Sequence, residues 1–245
     1  LKIKENSLIV ATQGRSIWIL DDLTVLHQMQ SKKDDVETIL YKPKQSYRTK
    51  GRGGESSLTA GTNLPNGVIV HYYLKKFDSK KDKVELQFKS NDGELIKTFS
   101  SEDKKNKLNI KEGGNSFVWD TRYEGAEKLE GMIFWSASFS GAKAVPGSYS
   151  VSLLINGEEK VQKFDILADP RSESSVQDMQ KQFDFVNEVN QTVDIAHKAI
   201  KKIRIIATKL TDFIKQNETD STATKLVDQA KEIKENLINV EKTLY

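Results

Sequence analysis

The chain of 245 residues contains no cysteine. Disulfides, thiolate metal centres and a cysteine nucleophile are excluded at once. This absence does not fix a compartment, because cytoplasm and bacterial envelope are both compatible with it. Long hydrophobic runs are missing too: the apolar runs extend over a few residues only, far short of the roughly 20 needed to cross a bilayer. Neither sign of charge dominates. The 38 basic and 35 acidic side chains leave a net charge of +3, too little for a nucleic-acid footprint spread over the surface. The 3 histidines, His27, His71 and His197, lie in separate segments without HxH or HExxH spacing, so a zinc site has no sequence signature. The first residue is Leu1 rather than Met. The expectation is a fragment whose native N-terminus and export signal lie outside this sequence.

What is present is organised around residues 113–151, which hold Trp119 and Trp135. Apolar and polar residues alternate through Phe117, Trp119 and Thr121 and again through Ile133, Trp135 and Ala137, the period of half-buried strands. Large aromatics on neighbouring strands bury about 150–250 Å² each, so both tryptophans read as core anchors. Further alternating runs predict strands over 68–74, 84–88, 95–99, 148–155 and 160–166. With those around 117–121 and 132–139 they make about seven, at spacings suited to a β-sandwich over 67–168. Asn91-Asp92-Gly93 and Asn156-Gly157 supply hairpin turns, and Pro146-Gly147 punctuates the chain before Tyr149.

Either side of this region the pattern changes. Residues 1–27 offer three short strands with turns at Glu5-Asn6 and at residues 13–16, too few to bury both faces of a meander without a partner. Residues 28–66 have little periodicity and read as a linker. After Asp169-Pro170 the step becomes three and four. Met179, Val186, Val189, Val193, Ala196, Ile200, Ile203, Ala207, Leu210 and Ile214 form one stripe, and Ala223, Leu226, Ala230, Ile233, Leu237, Val240 and Leu244 a second. The break at 217–220 makes 169–245 a two-helix hairpin. Phe183, Phe185, Ile195, Ile205, Ile206 and Phe213 lie beyond the seam and predict an apolar band open to a partner. The fold class is α+β, mainly β.

Several clusters invite a chemical reading. Asp120, Glu124 and Glu127 beside Arg122 could supply paired carboxylates for glycoside cleavage, but turn capping by Asp120 is the favoured reading. Asp78, Asp82 and residues 91–94 offer oxygen ligands for calcium without filling an EF-hand pattern. Lys42, Lys44, Arg48, Lys50 and Arg52, with Tyr41 and Tyr47 interleaved, have the composition of a single-strand nucleic-acid contact, although Gly51, Gly53 and Gly54 favour a solvated linker. Lys198, Lys201, Lys202 and Arg204 share a helix with Asp184, Glu188 and Asp194, which favours a solvated polar face over membrane binding. No catalytic, cofactor-binding or metal residue is assigned, no cofactor is expected, and neither nucleic acid nor membrane insertion is expected.

Two stretches carry a family resemblance. ATQGRSIWILDDLTVL (11–26) resembles the closing strands of the β-propeller in bacterial sortilin-type, neuraminidase-repeat glycosyl hydrolase-like proteins. GGNSFVWDTRYEGA with AVPGSYSVSL, within 113–153, is similar to the region after that propeller. There an Ig-like sandwich related to the flagellar hook-capping Ig module carries Asn-x-x-x-Trp-Asp, matched by Asn115, Trp119 and Asp120. FDILADPRS and QFDFVNEVN continue the likeness. The sialidase-type Asp-box is missing, and residues 90–93 resemble only its start. The resemblance implies a remnant of the last propeller blade over 1–27 and an extracytoplasmic, bacterial location. Its structural motif residues are Asn115, Trp119, Asp120, Arg122, Trp135, Pro146, Gly147 and Tyr149. The function it implies is a non-catalytic accessory module whose partner is its own missing propeller. Two alternatives stay open: part of a sialidase-like hydrolase whose catalytic residues lie in that propeller, and a carbohydrate-binding sandwich using Tyr72, Tyr73, Tyr123 or Trp135 as a platform. Carbohydrate or a second chain are the other partners left open.

Overall fold

The structure, a computed structural model, describes residues 1–30, 36–49, 64–132 and 138–244. It divides into two compact units, residues 1–124 with 143–183 and residues 125–142 with 184–245. Antiparallel sheets dominate the first, and helices the second.

The first unit opens with a meander: β1 (Lys2–Lys4), β2 (Ser7–Ala11) and β3 (Ile17–Leu20) pair antiparallel in that order. Glu5 and Asn6 both take positive φ, the two-residue turn whose twist suits a hairpin. The Asn6 side chain donates to Asp22 Oδ1 (3.0 Å) and Thr24 Oγ1 (2.9 Å), which ties the turn to the start of α1 (Thr24–Gln30).

Two sheets then face each other. One has the order β4 (Thr38–Leu40), β6 (Val68–Leu74), β9 (Gly113–Trp119). The other runs β5 (Ser46–Arg48), β11 (Glu158–Ala168), β10 (Gly147–Ile155), β7 (Val84–Ser90), β8 (Leu95–Ser100). All pairs are antiparallel except β11 with β5. β6 and β7 bury alternate residues: Val68, Val70, Tyr72 and Leu74 from one sheet, Val84, Leu86 and Phe88 from the other. That is the signature of two pleated surfaces meeting. Trp119 is fully buried between them, stacked on Phe88 at 4.5 Å and edge-on to Tyr149 and Phe164. Gly67 explains a close approach at the mouth of β6: its φ is +134°, and a Cβ there would lie 2.2 Å from the Trp119 carbonyl oxygen.

Two differences from the sequence reading stand out. Residues 28–66 are not one linker, because 38–40 and 46–48 pair as edge strands and Leu40 and Tyr41 are buried. Three-residue strands are too short to show a period, which hid them. The strand expected over 132–139 falls largely on residues 133–137, Trp135 included, which lie outside the described residues; Met132, Ser138 and Phe139 are not in strands.

In the second unit, the loop before residue 133 is fastened to α2 (Val176–Asn217). The Glu127 amide donates to Asp194 Oδ1 (2.8 Å), its carbonyl bonds the buried His197 Nδ1, and its carboxylate pairs with Lys201. α3 (Thr224–Leu244) returns alongside, with Arg204 Nε donating to Glu241 at 2.8 Å. The covered face of α3 is Val227 and Ala230, continuing from the buried Ala223 just before the helix, with Leu237 half-buried. Leu226 (58% exposed) and Ile233 (51%) face outward, which corrects the expected stripe. Both i+3 and i+4 from Ala223 are apolar, and the helix takes i+4. The two alanines present little bulk on that face. Phe185, Ile195, Ile205 and Phe213 are exposed. No described helix is long and apolar enough to cross a membrane.

The Tyr72 hydroxyl is buried with no hydrogen-bond partner among the described residues, and burial pushes its pKa from 10.0 up to about 12. The folded state therefore holds this proton more tightly than the unfolded chain. The stability this gives is complete below the ordinary phenol range and is lost as pH rises from about 10 towards about 12. Tyr72→Phe should leave stability at pH 7 unchanged or raise it by about 1 kcal/mol. It should also make the alkaline fall shallower, as denaturant melts at pH 7, 10 and 11 would register. A loss of more than 1 kcal/mol at pH 7 would mean that the hydroxyl has a partner.

Candidate functional site

The turn after β9 gathers most of the motif residues. Thr121 follows Trp119 and Asp120 with φ +62°, a left-handed conformation that is unusual for a β-branched residue. Its carbonyl accepts from the Ala144 amide at 2.7 Å, and Arg122 bridges antiparallel to Lys143. Asp120 caps the turn, accepting from the Arg122 amide at 3.1 Å. Trp119 Nε1 donates to the Arg122 carbonyl at 3.0 Å, so the deepest core side chain is bonded directly to this corner. Tyr149, just after Pro146-Gly147, donates its hydroxyl to the Val145 carbonyl at 2.6 Å.

Two cations join Arg122 there. Arg48, at the end of β5, donates from Nε to the Ala144 carbonyl (3.0 Å) and from Nη2 to Gln182 Oε1 (2.9 Å). Lys143 Nζ donates to the Thr49 carbonyl. Burial, then Arg122 and Arg48, hold the Lys143 ammonium below the usual lysine range, with Asp120 pulling the other way. Burial and then Arg122 lower the Arg48 guanidinium as well, against a smaller rise from Tyr149. Arg48, Arg122 and Lys143 thus share a half-buried corner with Asp120. Sequence reading placed Arg48 in a solvated basic run and passed over Lys143. Arg48 and Ala144 are 96 residues apart, and no local pattern joins them.

Asn115 sits apart from this corner and closes the bend before β9. Its Oδ1 accepts from the Lys111 amide (2.9 Å), and its Nδ2 donates to the carbonyls of Lys111 (2.8 Å) and Gly113 (3.0 Å). The Asn-x-x-x-Trp-Asp spacing therefore combines a bend staple, a core anchor and a turn cap.

The other candidates disperse. Glu124 lies 2.5 Å from Lys105 and 3.6 Å from Lys97. Burial pushes its carboxyl up, but the two lysines outweigh that and hold it below the usual range. Hydrogen bonding and attraction from Lys201 likewise lower the Glu127 carboxyl. Both shifts run opposite to what a general acid needs. Asp78 Oδ1 accepts from the Lys80 amide (3.0 Å), and Asp82 accepts from the Asp78 amide (2.7 Å) and from Asn156 Nδ2 (2.9 Å). These carboxylates precede β7 whereas residues 91–94 follow it, about 20 Å away along a seven-residue strand. His27 lies on α1, His71 on β6 and His197 on α2. Burial lowers the His71 imidazole, opposed by Asp22. Among the described residues no three His, Asp or Glu side chains could hold a metal ion.

Tyr72 points into the core while Tyr73, its neighbour on β6, lies on the other face. Tyr123 packs edge-on to Phe183 at 4.7 Å, so these tyrosines make no common platform. Tyr41 is buried and Arg48 is committed, which breaks up the basic run; Lys50, Arg52 and the glycines after them lie outside the described residues. Lys198 pairs with Asp194 at 2.7 Å, and Lys201 and Arg204 pair with Glu127 and Glu241, leaving a mixed-charge face on α2.

Asn115→Ala removes three hydrogen bonds and leaves the Lys111 amide without its partner. It should cost about 2–3 kcal/mol in chemical denaturation, with the largest loss of amide protection at residues 111–119. A cost under about 0.5 kcal/mol would show that the bend holds itself.

No protein-family model matches the chain, and no curated protein matches it.

Proposed function

We propose that the chain is the non-catalytic accessory region of a larger, extracytoplasmic bacterial glycosyl hydrolase-like protein. In this reading β1–β3 pack against a β-propeller as a piece of its last blade. The two facing sheets form an Ig-like sandwich that holds the blade, and the helical hairpin supplies a second contact surface for protein or cell surface.

The observation that carries the reading is the composition of the first sheet. Partners opposite one another in an antiparallel pair share a face. The register Val10↔Trp18, Leu8↔Leu20 and Ile3↔Leu8 puts Ile3, Leu8, Val10, Trp18 and Leu20 on one face. The register Ala11↔Ile17 and Ile9↔Ile19 puts Ile9, Ile17 and Ile19 on the other, which Lys2, Lys4 and Ser7 share. Trp18 (66%), Ile3 (62%) and Ile17 (67%) are exposed, one face or the other. The face of Ile3, Leu8, Val10, Trp18 and Leu20 is apolar throughout, and a sheet face of that kind belongs against another layer. A propeller blade is such a layer. The low carboxyl pKa values of Glu124 and Glu127 and the turn-capping role of Asp120 support a non-catalytic reading.

Two measurements test it. The chain should turn over no aryl glycoside or sialoside; turnover abolished by Asp120→Asn would replace the reading with a hydrolase. Ile3→Lys with Trp18→Lys should weaken binding of an apolar dye such as ANS, leaving only what the exposed apolar residues elsewhere bind. Because both sites are at the surface, the sandwich melt should change by less than about 0.5 kcal/mol. Collapse of the sandwich in that variant would make the sheet part of its core rather than a contact layer.

A further inference from the structure

A cavity of about 410 Å³ opens where the segment before β7 meets the segment after β8. Small-molecule sites run from about 300 to 1,000 Å³, and this one lies wholly within the first unit. Hydrogen bonds hold both of its walls. On one side the Lys81 and Asp82 amides donate to the Asp78 carbonyl (3.0 and 2.8 Å). Asn156 steadies that turn, accepting from the Lys83 amide (3.0 Å) and donating to Asp82 Oδ1 (2.9 Å). On the other side the Leu108 amide donates to the Ser100 carbonyl (2.8 Å), and the Ser101 amide to the Val84 carbonyl (2.9 Å). Walls set by the backbone cost a ligand little ordering.

The lining divides by chemistry. Phe77, Leu108 and Ile110 are its apolar part; Leu108 belongs to the sandwich core and the other two pack against it. Lys80, Lys81 and Lys107 with Asp82 and Glu102 are its charged part, three cations to two anions. Lys81 lies 3.7 Å from Asp78, and Glu102 3.7 Å from Lys83. Among the described residues the Lys80 and Lys107 ammonium groups make no ion pair and the Asn109 side chain no hydrogen bond. Each Asp82 oxygen accepts one hydrogen bond within the chain and has a lone pair for a second. A purely apolar ligand would strip water from the ammonium groups and return no hydrogen bond. A compact inorganic anion would leave Phe77 and Ile110 uncovered. A pyranose ring bearing a carboxylate suits both parts: one face presents C–H groups, the rim presents hydroxyls, and the carboxylate accepts charge-assisted hydrogen bonds.

We infer that this cavity binds a hexuronate, an acidic sugar residue. The ring covers Phe77, the carboxylate accepts from Lys80 and Lys107, and Asn109 and Asp82 bond the hydroxyls. The inference does not rest on the accessory-module reading, because a free-standing module would hold the same cavity.

The test is a titration of the full chain with sodium glucuronate, sodium galacturonate, glucose and sodium acetate, at ionic strength matched with sodium chloride. Binding is followed by the NMR shifts of the Ser79, Lys107 and Asn109 amides. Saturation by either uronate, more tightly than by glucose or acetate, supports the site, and the tighter of the two identifies the sugar. Lys107→Met removes one charge-assisted hydrogen bond and should weaken that uronate about tenfold. Asn109→Ala should weaken it several-fold. Both side chains are exposed, so neither change threatens the fold. Lys163→Met, at an exposed lysine on β11, should leave the affinity unchanged. Failure of both uronates to saturate would overturn the inference, as would glucose or acetate binding as tightly as they do. So would full affinity in Lys107→Met, or equal weakening by Lys163→Met.

Discussion

The stacking of Trp119 on Phe88 is the contact on which the rest of the first unit depends. It joins the three-stranded sheet to the five-stranded one at 4.5 Å, and the same indole reaches Tyr149 and Phe164 on β10 and β11. Its one polar atom, Nε1, donates to the Arg122 carbonyl. That bond makes the turn after β9 an extension of the core, and the turn in turn fixes Ala144 through the Thr121 carbonyl. Lys143 and Val145, either side of Ala144, then bond Thr49 and Tyr149. A large aromatic with one donor thus sets both the spacing between the sheets and the position of the cationic corner.

Much of the sandwich was legible because its strands are long enough to show a period. β6 alternates over seven residues without a break, and Asn91-Asp92-Gly93 and Asn156-Gly157 mark their hairpins through positive φ at Gly93, Asn156 and Gly157. β4 and β5 were not legible, because three residues cannot alternate convincingly and the stretch around them is rich in lysine and polar residues. On α3 the period was visible but its phase was not. Leu226 and Val227 are equally apolar neighbours, and only the approach of the other helix decides which is covered. The corner formed by Arg48, Arg122 and Lys143 was illegible for a different reason. It exists only after β5 pairs in parallel with the end of β11, a long-range event with no local signal.

The two units differ in how they hold together. In the first, aromatic and branched side chains fill the space between sheets and polar side chains work mainly at turns. The second relies more on charge and small residues. Glu127 engages α2 through its amide, its carbonyl and its carboxylate, and alanines line the covered face of α3. Gly125 belongs to the same economy of space: a Cβ there would lie 1.8 Å from the Phe139 carbonyl oxygen. Exposed ion pairs contribute little each, about 0–1 kcal/mol, so the second unit should open before the first.

The central proposal is that β1–β3 form a contact layer whose Trp18 face is covered in a larger protein that contains this chain. Amide hydrogen exchange of residues 7–20, in that protein and in this chain alone, measures it most directly. The account predicts that the edge amides of β3 and the Trp18 indole exchange quickly in the isolated chain and become protected by at least a hundredfold in the larger protein. Equal exchange rates in the two would contradict it, and would make the sheet a self-sufficient surface element.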